Sequence, residues 1–272
     1  MARTRASTFP LRSRRRAPGF GFGSIRSVRR GSGSDPAGSR PYVPGDDLRR
    51  IDRHASARLS AASGRDEFVV REYHAERSLR VVVVADSAAS MALFPAELPW
   101  LCKPAALAAA AELIEASARQ ARCPVTRLEP CGLAETVDEL AQRRLKRGSF
   151  VFLVSDFLAP LDRTPLVDAV ARGWDVVPVV LQDPCWEQSF PDASGVVLPF
   201  ADAGGVLRPT RLSRREAKAR REANETRLAG LLDAFTELQL DAVVLGSHEP
   251  EPVLGAFLDW AEQRRRAGRR VL

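Results

Sequence analysis

The chain has no run of roughly 18 apolar residues, the length a membrane-spanning helix needs. Its longest candidate, Ala105 to Ala118, is broken by Glu112 and Glu115. No apolar segment follows the Arg14–Arg16 run, where Pro18, Gly19, Gly21 and Gly23 stand instead, which argues against a secretory signal. The same glycines and Pro10 spoil the amphipathic helix of an organellar transit peptide, so a cytoplasmic protein is expected. Cys102, Cys123, Cys131 and Cys185 contain no Cys-x-x-Cys pair, which leaves reduced thiols as the expectation. The three histidines, His54, His74 and His248, are scattered and have no companion at metal-binding spacing.

Several catalytic patterns are also absent. There is no Gly-x-x-x-x-Gly-Lys-Ser/Thr phosphate loop and no Gly-x-Ser-x-Gly elbow. Gly19, Gly21 and Gly23 follow no strand and open no helix, so they are not a dinucleotide fingerprint. Acidic residues are missing from both ends. The first 30 residues hold nine arginines and no acid, and the last nine hold Arg264, Arg265, Arg266, Arg269 and Arg270. The net charge of +7 therefore describes the ends, and the chain between them is net acidic. Lysine is scarce, three residues in all, which fits a GC-rich coding bias toward arginine.

What is present is an alternating pattern. Residues 1–39, rich in Arg, Gly, Ser and Pro, read as a flexible arm. Turn chemistry follows from Arg40 to Asp47, then a short helix within Leu48 to Arg58 and a short strand at Phe68–Val70. Leu79–Ala85 and Phe150–Val154 are β-branched or aromatic runs of the kind buried on both faces in parallel sheets. Asp175–Leu181 and Asp241–Leu245 read as further strands, and Val196–Leu198 as a weak one. Helices are expected at Pro104–Arg122, Thr136–Arg147, Thr164 to about Gly173, Ser213–Leu238 behind a Ser213/Glu216 capping box, and Pro252–Arg266. The alternation predicts an α/β fold, a doubly wound and mostly parallel sheet over about residues 65–262. Segment 40–64 precedes it and a basic tail, 263–272, follows.

Both strongest strands end in an aspartate, Asp86 and Asp156. Ligand sites in such sheets lie outside the carboxyl ends of the strands, so the two carboxylates are expected to share one edge. With the hydroxyls of Ser90 and Thr136 they form an oxygen-rich set suited to Mg²⁺. An aspartate standing alone at a strand end is better read as capping the next turn, and it is the pair with Ser90 and Thr136 that brings the metal reading level with it. A haloacid-dehalogenase-like phosphatase would need a second acid two residues after Asp86, where Ala88 stands.

Asp86-x-x-x-Ser90, Thr136 and Asp156 resemble the metal-ion-dependent adhesion site of a von Willebrand factor A-like domain. The stretch Arg40-Pro41-Tyr42-Val43-Pro44-Gly45-Asp46-Asp47-Leu48-Arg49-Arg50-Ile51-Asp52, with Ser56-Ala57-Arg58, closely resembles the leading motif of the family called domain of unknown function 58. The resemblance continues through Val70-Arg71-Glu72, Val81 to Met91, Val154 to Phe157, and Asp183-Pro184 with Glu187. It implies a von Willebrand A-like fold and a non-enzymatic adaptor that works with a MoxR-type AAA+ ATPase in protein maturation or complex assembly. It also implies a Mg²⁺ held by Asp86, Ser90, Thr136 and Asp156, completed by a carboxylate of the partner. Arg40, Tyr42, Gly45, Asp46, Asp47, Arg49, Asp52 and Arg58 would then form a structural clasp or a docking loop. Ion pairs of Arg49 or Arg58 with Asp46, Asp47 or Asp52 are expected to lock it.

Three departures stand out. Ala88 removes one oxygen from the metal turn, Arg53 replaces a usual tryptophan, and the transmembrane helices that precede the motif in many relatives have no counterpart ahead of it here. Two other readings remain open. The arginine-rich ends, with Phe9, Phe20 and Phe22, suit nucleic acid or an anionic surface. A metal-dependent hydrolase at Asp86 and Asp156 would still need a base or nucleophile.

Overall fold

The computed structural model describes residues 8–13, 30–74, 79–92, 100–129, 133–201 and 207–269. The chain forms two compact units, one from Met1–Arg15 with Leu79–Leu272 and the other from Arg16–Ser78.

The larger unit holds a five-stranded parallel sheet. Its strands are β3 (Val81–Ala85), β4 (Val125–Leu128), β5 (Phe150–Ser155), β6 (Asp175–Leu181) and β9 (Val243–Leu245), in the spatial order β4-β3-β5-β6-β9. The helices are α2 (Lys103–Gln120), α3 (Leu133–Gln142), α4 (Thr164–Ala171), α5 (Arg214–Glu237) and α6 (Pro250–Arg269). This is the expected doubly wound, Rossmann-like α/β fold.

Side chains alternate across each strand, which assigns the two faces. Val82, Val84, Val151, Leu153, Val176 and Val180 pack with Val137 and Leu140 of α3, Leu166 of α4, and Leu231 and Phe235 of α5. On the other face Phe152 meets Phe257 and Trp260 of α6, with ring centroids 6.3 and 6.0 Å away. Covered on both sides, β3 is buried along its whole length. That is why its sequence is an unbroken β-branched run.

The chain leaves β3 for β4 on one side, then returns across β3 to build β5, β6 and β9 on the other. The winding therefore reverses at β3 and β5, and the crevice beyond their carboxyl ends is the natural ligand position of such a sheet. Asp86 and Asp156 stand there.

Two expectations for the chain ends give way. Phe9 and Leu11, placed by sequence in a flexible arm, are buried in the larger unit. The Phe9 ring stacks on Phe257 at 4.6 Å and meets Trp260 edge-on at 5.8 Å, because an aromatic ring gains more from that core than from water. At the other end α6 runs to Arg269, through most of the segment read as a tail. Residues 1–7, 14–29, 130–132 and 270–272 fall outside the described residues, and with them Phe20, Phe22 and Cys131.

The hairpin β7 (Val197–Ala201) with β8 (Leu207–Arg211) extends the weak strand read at Val196–Leu198. The capping box opens α5 as expected, Ser213 Oγ accepting from the Glu216 amide and Glu216 from the Ser213 amide.

The smaller unit pairs β1 (Arg30–Pro41) with β2 (Val69–His74) in antiparallel register, interrupted by bulges between Gly31 and Gly38. A 3₁₀ turn, Leu48–Arg50, and α1 (Arg53–Ser63) lie between them. Gly64, with φ of 67°, ends α1 in the left-handed conformation that glycine adopts without a Cβ penalty. The sequence boundary at residue 64 separates α1 from β2, whereas β2 belongs with the leading segment because β1 is its pairing partner.

Candidate functional site

The structure brings Asp86, Ser90, Thr136 and Asp156 together around one cavity of about 250 Å³ at the carboxyl edge of β3 and β5. Asp86 follows β3, and its amide donates to the Val154 carbonyl, extending the β3–β5 ladder by one step. Its Oδ1 accepts from the Ala88 amide at 2.8 Å and its Oδ2 from the Ser155 hydroxyl at 2.5 Å. Ser90 lies in the 3₁₀ turn Ala89–Ala92. Thr136, expected at a helix start, sits inside α3 and is fully buried. Asp156 is 2% exposed, and its Oδ1 accepts from the Leu158 amide at 3.1 Å. Next to Asp156 the chain is strained at Phe157, a non-glycine residue at φ 49°. The Phe157 ring is held edge-on against Phe235 at 5.3 Å. Most of the remaining wall is apolar, including Val84, Leu153, Leu158 and Leu161, with Ser155 and Asp162 as its polar members.

Behind the cavity lies a residue that the sequence does not single out. Lys103 opens α2, is 0% exposed, and aims its ammonium at the same edge. Its Nζ lies 2.8 Å from Asp156 Oδ2 and 2.5 Å from Glu187 Oε1, and donates to the Ser90 carbonyl at 3.2 Å. Glu187 is in turn fixed by the turn after β6. Its Oε2 accepts from the Asp183 amide, and Asp183 accepts from the amides of Leu101, Cys185 and Trp186. Burial pushes the Glu187 carboxyl above its ordinary 4.5, opposed by the neighbouring Lys103 ammonium. Gln182 donates to the Asp156 carbonyl at 2.6 Å, and Arg227 donates to the Glu187 carbonyl. Desolvation lowers the Arg227 pKa.

This donor set does not suit a Mg²⁺ ion held by Asp86, Ser90, Thr136 and Asp156. The Asp156 oxygen that faces the site is already paired with the Lys103 ammonium, Asp86 is engaged by the Ala88 amide and the Ser155 hydroxyl, and Ala88 offers no side-chain oxygen. A divalent ion beside Asp156 would also face the Lys103 ammonium across a carboxylate already neutralised by it. Among the described residues, no three His, Cys, Asp or Glu side chains gather as a metal cluster.

The leading motif folds as a locked turn. Arg40 forks onto Asp46, with N–O distances of 2.7 and 2.5 Å, and Asp46 Oδ2 also accepts from the Val43 amide. Gly45, at φ 104°, permits the turn. Asp47 accepts from the Arg49 amide, and Asp52 caps α1 while pairing with Arg71 at 2.8 Å. The Tyr42 amide donates to the Phe68 carbonyl and the Asp52 amide to that of Val69, lacing the motif to β2. The acids thus pair with Arg40 and Arg71, not with Arg49 or Arg58. Arg49 meets Asp47 through its backbone, and Arg58 turns back to the His54 carbonyl. Arg40 opens the motif at the end of β1, whereas Arg71 comes from β2, outside it, where spacing within the motif does not point.

The pairs carry a pH prediction. Asp46 and Asp52 are lowered from 3.8 to about 2, chiefly by the guanidinium hydrogen bonds of Arg40 and Arg71. Their stabilisation is fully present above the unfolded value of 3.8 and is lost as pH falls through about 2. Carboxyl ¹³C shifts of both residues followed by NMR are expected to titrate well below the ordinary aspartates of the chain. Arg40→Gln should return Asp46 alone toward 3.8.

Three of the C-terminal arginines pair with acids. Arg264 is 6% exposed, pairs with Asp175 and Asp241 at 2.9 Å, and lies over the Trp260 ring. Arg265 and Arg266 pair with Glu262. No helix among the described residues is long and apolar enough to cross a membrane.

The sequence profile of a family described as Protein of unknown function DUF58 matches residues 38–121 and 111–228. The chain belongs to this family. The match to DUF58 takes in the leading motif, Asp86, Ser90, Lys103, Thr136, Asp156, Asp183 and Glu187. Uncharacterized proteins of Mycobacterium bovis and Mycobacterium tuberculosis are 29% identical to it over 235 residues, covering 73% of this chain and 70% of each relative. Within this DUF58 chain the signal for Lys103 is a broken local rule. A lysine at the first position of a helix opposes the helix dipole, and it is one of only three among the 41 basic residues.

Proposed function

We propose that this DUF58 chain is a non-enzymatic, von Willebrand A-like adaptor that docks a MoxR-type AAA+ ATPase during protein maturation or complex assembly. The observation that carries the non-enzymatic part is the commitment of the strand-edge acids. Each carboxylate of Asp86, Asp156 and Glu187 is hydrogen-bonded on both oxygens or neutralised by Lys103, which leaves a poor general base. The largely apolar cavity beside them, framed by Asp86 and the Phe157–Asp162 loop, is suited to receive a side chain of another protein. The resemblance of the leading motif and of the strand-end turns supplies the identity of the partner.

The test is capture of the ATPase on the immobilised protein, with Mg²⁺ and ATP or with EDTA, using nuclease-treated lysate of the source cells. An AAA+ ATPase is expected to be retained by the wild type. Ala88→Arg, which fills the cavity mouth from an exposed turn, should reduce retention at least tenfold. Retention of no ATPase by a folded wild-type protein contradicts the adaptor reading. Because ATPases of this type bind Mg·ATP themselves, metal dependence is read instead on the isolated chain.

A further inference from the structure

We propose that the Lys103 ammonium is the resident cation of the strand-edge site, filling the position a divalent ion would take between Asp156, Glu187 and the Ser90 carbonyl. This role belongs to the isolated chain and does not depend on which protein docks there.

Among the described residues, three oxygens lie within reach of the Lys103 nitrogen. Two belong to carboxylates, Asp156 Oδ2 at 2.8 Å and Glu187 Oε1 at 2.5 Å, and the third is the Ser90 carbonyl at 3.2 Å. Two carboxylates with a carbonyl and room for water form the usual coordination of a hard divalent cation. Here the positive charge comes instead on a side chain whose exposure is 0%. The amides of Leu158 and Asp183 support the two carboxylates from outside, as second hydrogen-bond partners do for metal-ligating carboxylates. A lysine at the first position of α2 is unfavourable for the helix itself, so its place is explained by the acids its far end neutralises.

Removal of the ammonium distinguishes a built-in cation from an ordinary buried ion pair. Loss of the nitrogen leaves two facing carboxylates and a carbonyl around a void, next to a cavity that admits water. If the ammonium stands in for a metal, that void is a divalent-cation site. The wild type takes no divalent ion, and Lys103→Ala gains one.

The probe is Mn²⁺, which shares the oxygen preference of Mg²⁺ and has a free-ion electron paramagnetic resonance signal. Titrating the wild-type chain with Mn²⁺ is expected to leave the free-ion signal unchanged. The same titration of Lys103→Ala should remove one equivalent of signal, competed by excess Mg²⁺ and abolished when Glu187→Gln is added. Where Lys103→Ala is unfolded without metal, refolding on Mn²⁺ addition, followed by circular dichroism, is the equivalent expected result. Wild-type binding of one Mn²⁺ that Asp156→Asn removes overturns the proposal. So does a Lys103→Ala chain that neither binds Mn²⁺ when folded nor refolds in millimolar Mn²⁺.

Discussion

Lys103→Met is expected to destabilise the larger unit by about 3–5 kcal/mol, the range for breaking a buried ion pair by removing one partner. Methionine keeps most of the lysine volume, so the loss is electrostatic and not a cavity. It leaves Asp156, 2% exposed, and Glu187, 6% exposed, facing one another without compensation. The double variant Lys103→Met/Glu187→Gln should recover a large part of this loss, because it removes one of the stranded charges. The pH dependence identifies the cause. Burial already raises Glu187 above 4.5, and without the ammonium it rises further. A folded pKa above the unfolded one contributes stability that is present below the unfolded value and lost as pH rises through the folded value. Urea melts of Lys103→Met should therefore show a smaller deficit at mildly acidic pH than at alkaline pH. A deficit that is small at every pH would mean that the ammonium is not confined between these acids.

The second large effect is far from the site. Phe9→Ala should cost about 3–5 kcal/mol, as for other buried aromatic truncations. Phe9 is 2% exposed, stacked on Phe257 and edge-on to Trp260 and Phe152. Its backbone amide donates to Ser117 Oγ, and two residues on Leu11 is also buried. The Arg12 carbonyl then accepts from Arg264 at 2.9 Å, fastening the segment to α6. Thermal melts should place Phe9→Ala well below the wild type. Equal melting temperatures would contradict the packing. Nucleic-acid binding by the arginine-rich start has to be tested with this core in mind. Deleting the first 30 residues removes the core side chains Phe9 and Leu11 along with charge, so arginine-to-glutamine substitutions that keep Phe9 and Leu11 are the test of charge.

The elements that sequence made legible are those whose pattern is set by burial. Val81–Ala85, Phe150–Ser155 and Asp175–Leu181 are covered on both faces, so their apolar runs are continuous. The strand β4, Val-Thr-Arg-Leu at the sheet edge, is only partly buried and carries no such run. The strand β1 reads Arg-Gly-Ser-Gly-Ser-Asp-Pro-Ala-Gly-Ser-Arg-Pro, a turn-like composition, and is held extended by its pairing with β2. Phe9 is a single aromatic in a polar context, without periodicity to mark it.

For the site, the aspartates were legible because each ends a strong strand at the edge where ligands sit. Their counter-ion was not. Lys103 and Asp156 are 53 residues apart, and Glu187 arrives from the turn after a third strand. Only the fold brings the three together. The oxygen lost at Ala88 and the ammonium added at Lys103 both disfavour a bound metal, but only the first is visible in the turn itself.

The most direct measurement of the central claim is lysine side-chain ¹⁵N NMR on the wild-type chain. With only Lys103, Lys146 and Lys218 present, assignment needs a single variant. A confined Lys103 predicts one NH₃⁺ correlation protected from solvent exchange at neutral pH, absent in Lys103→Met and unmoved by millimolar Mg²⁺. Three rapidly exchanging ammonium groups, or a Lys103 signal that shifts as Mg²⁺ is added, would contradict it.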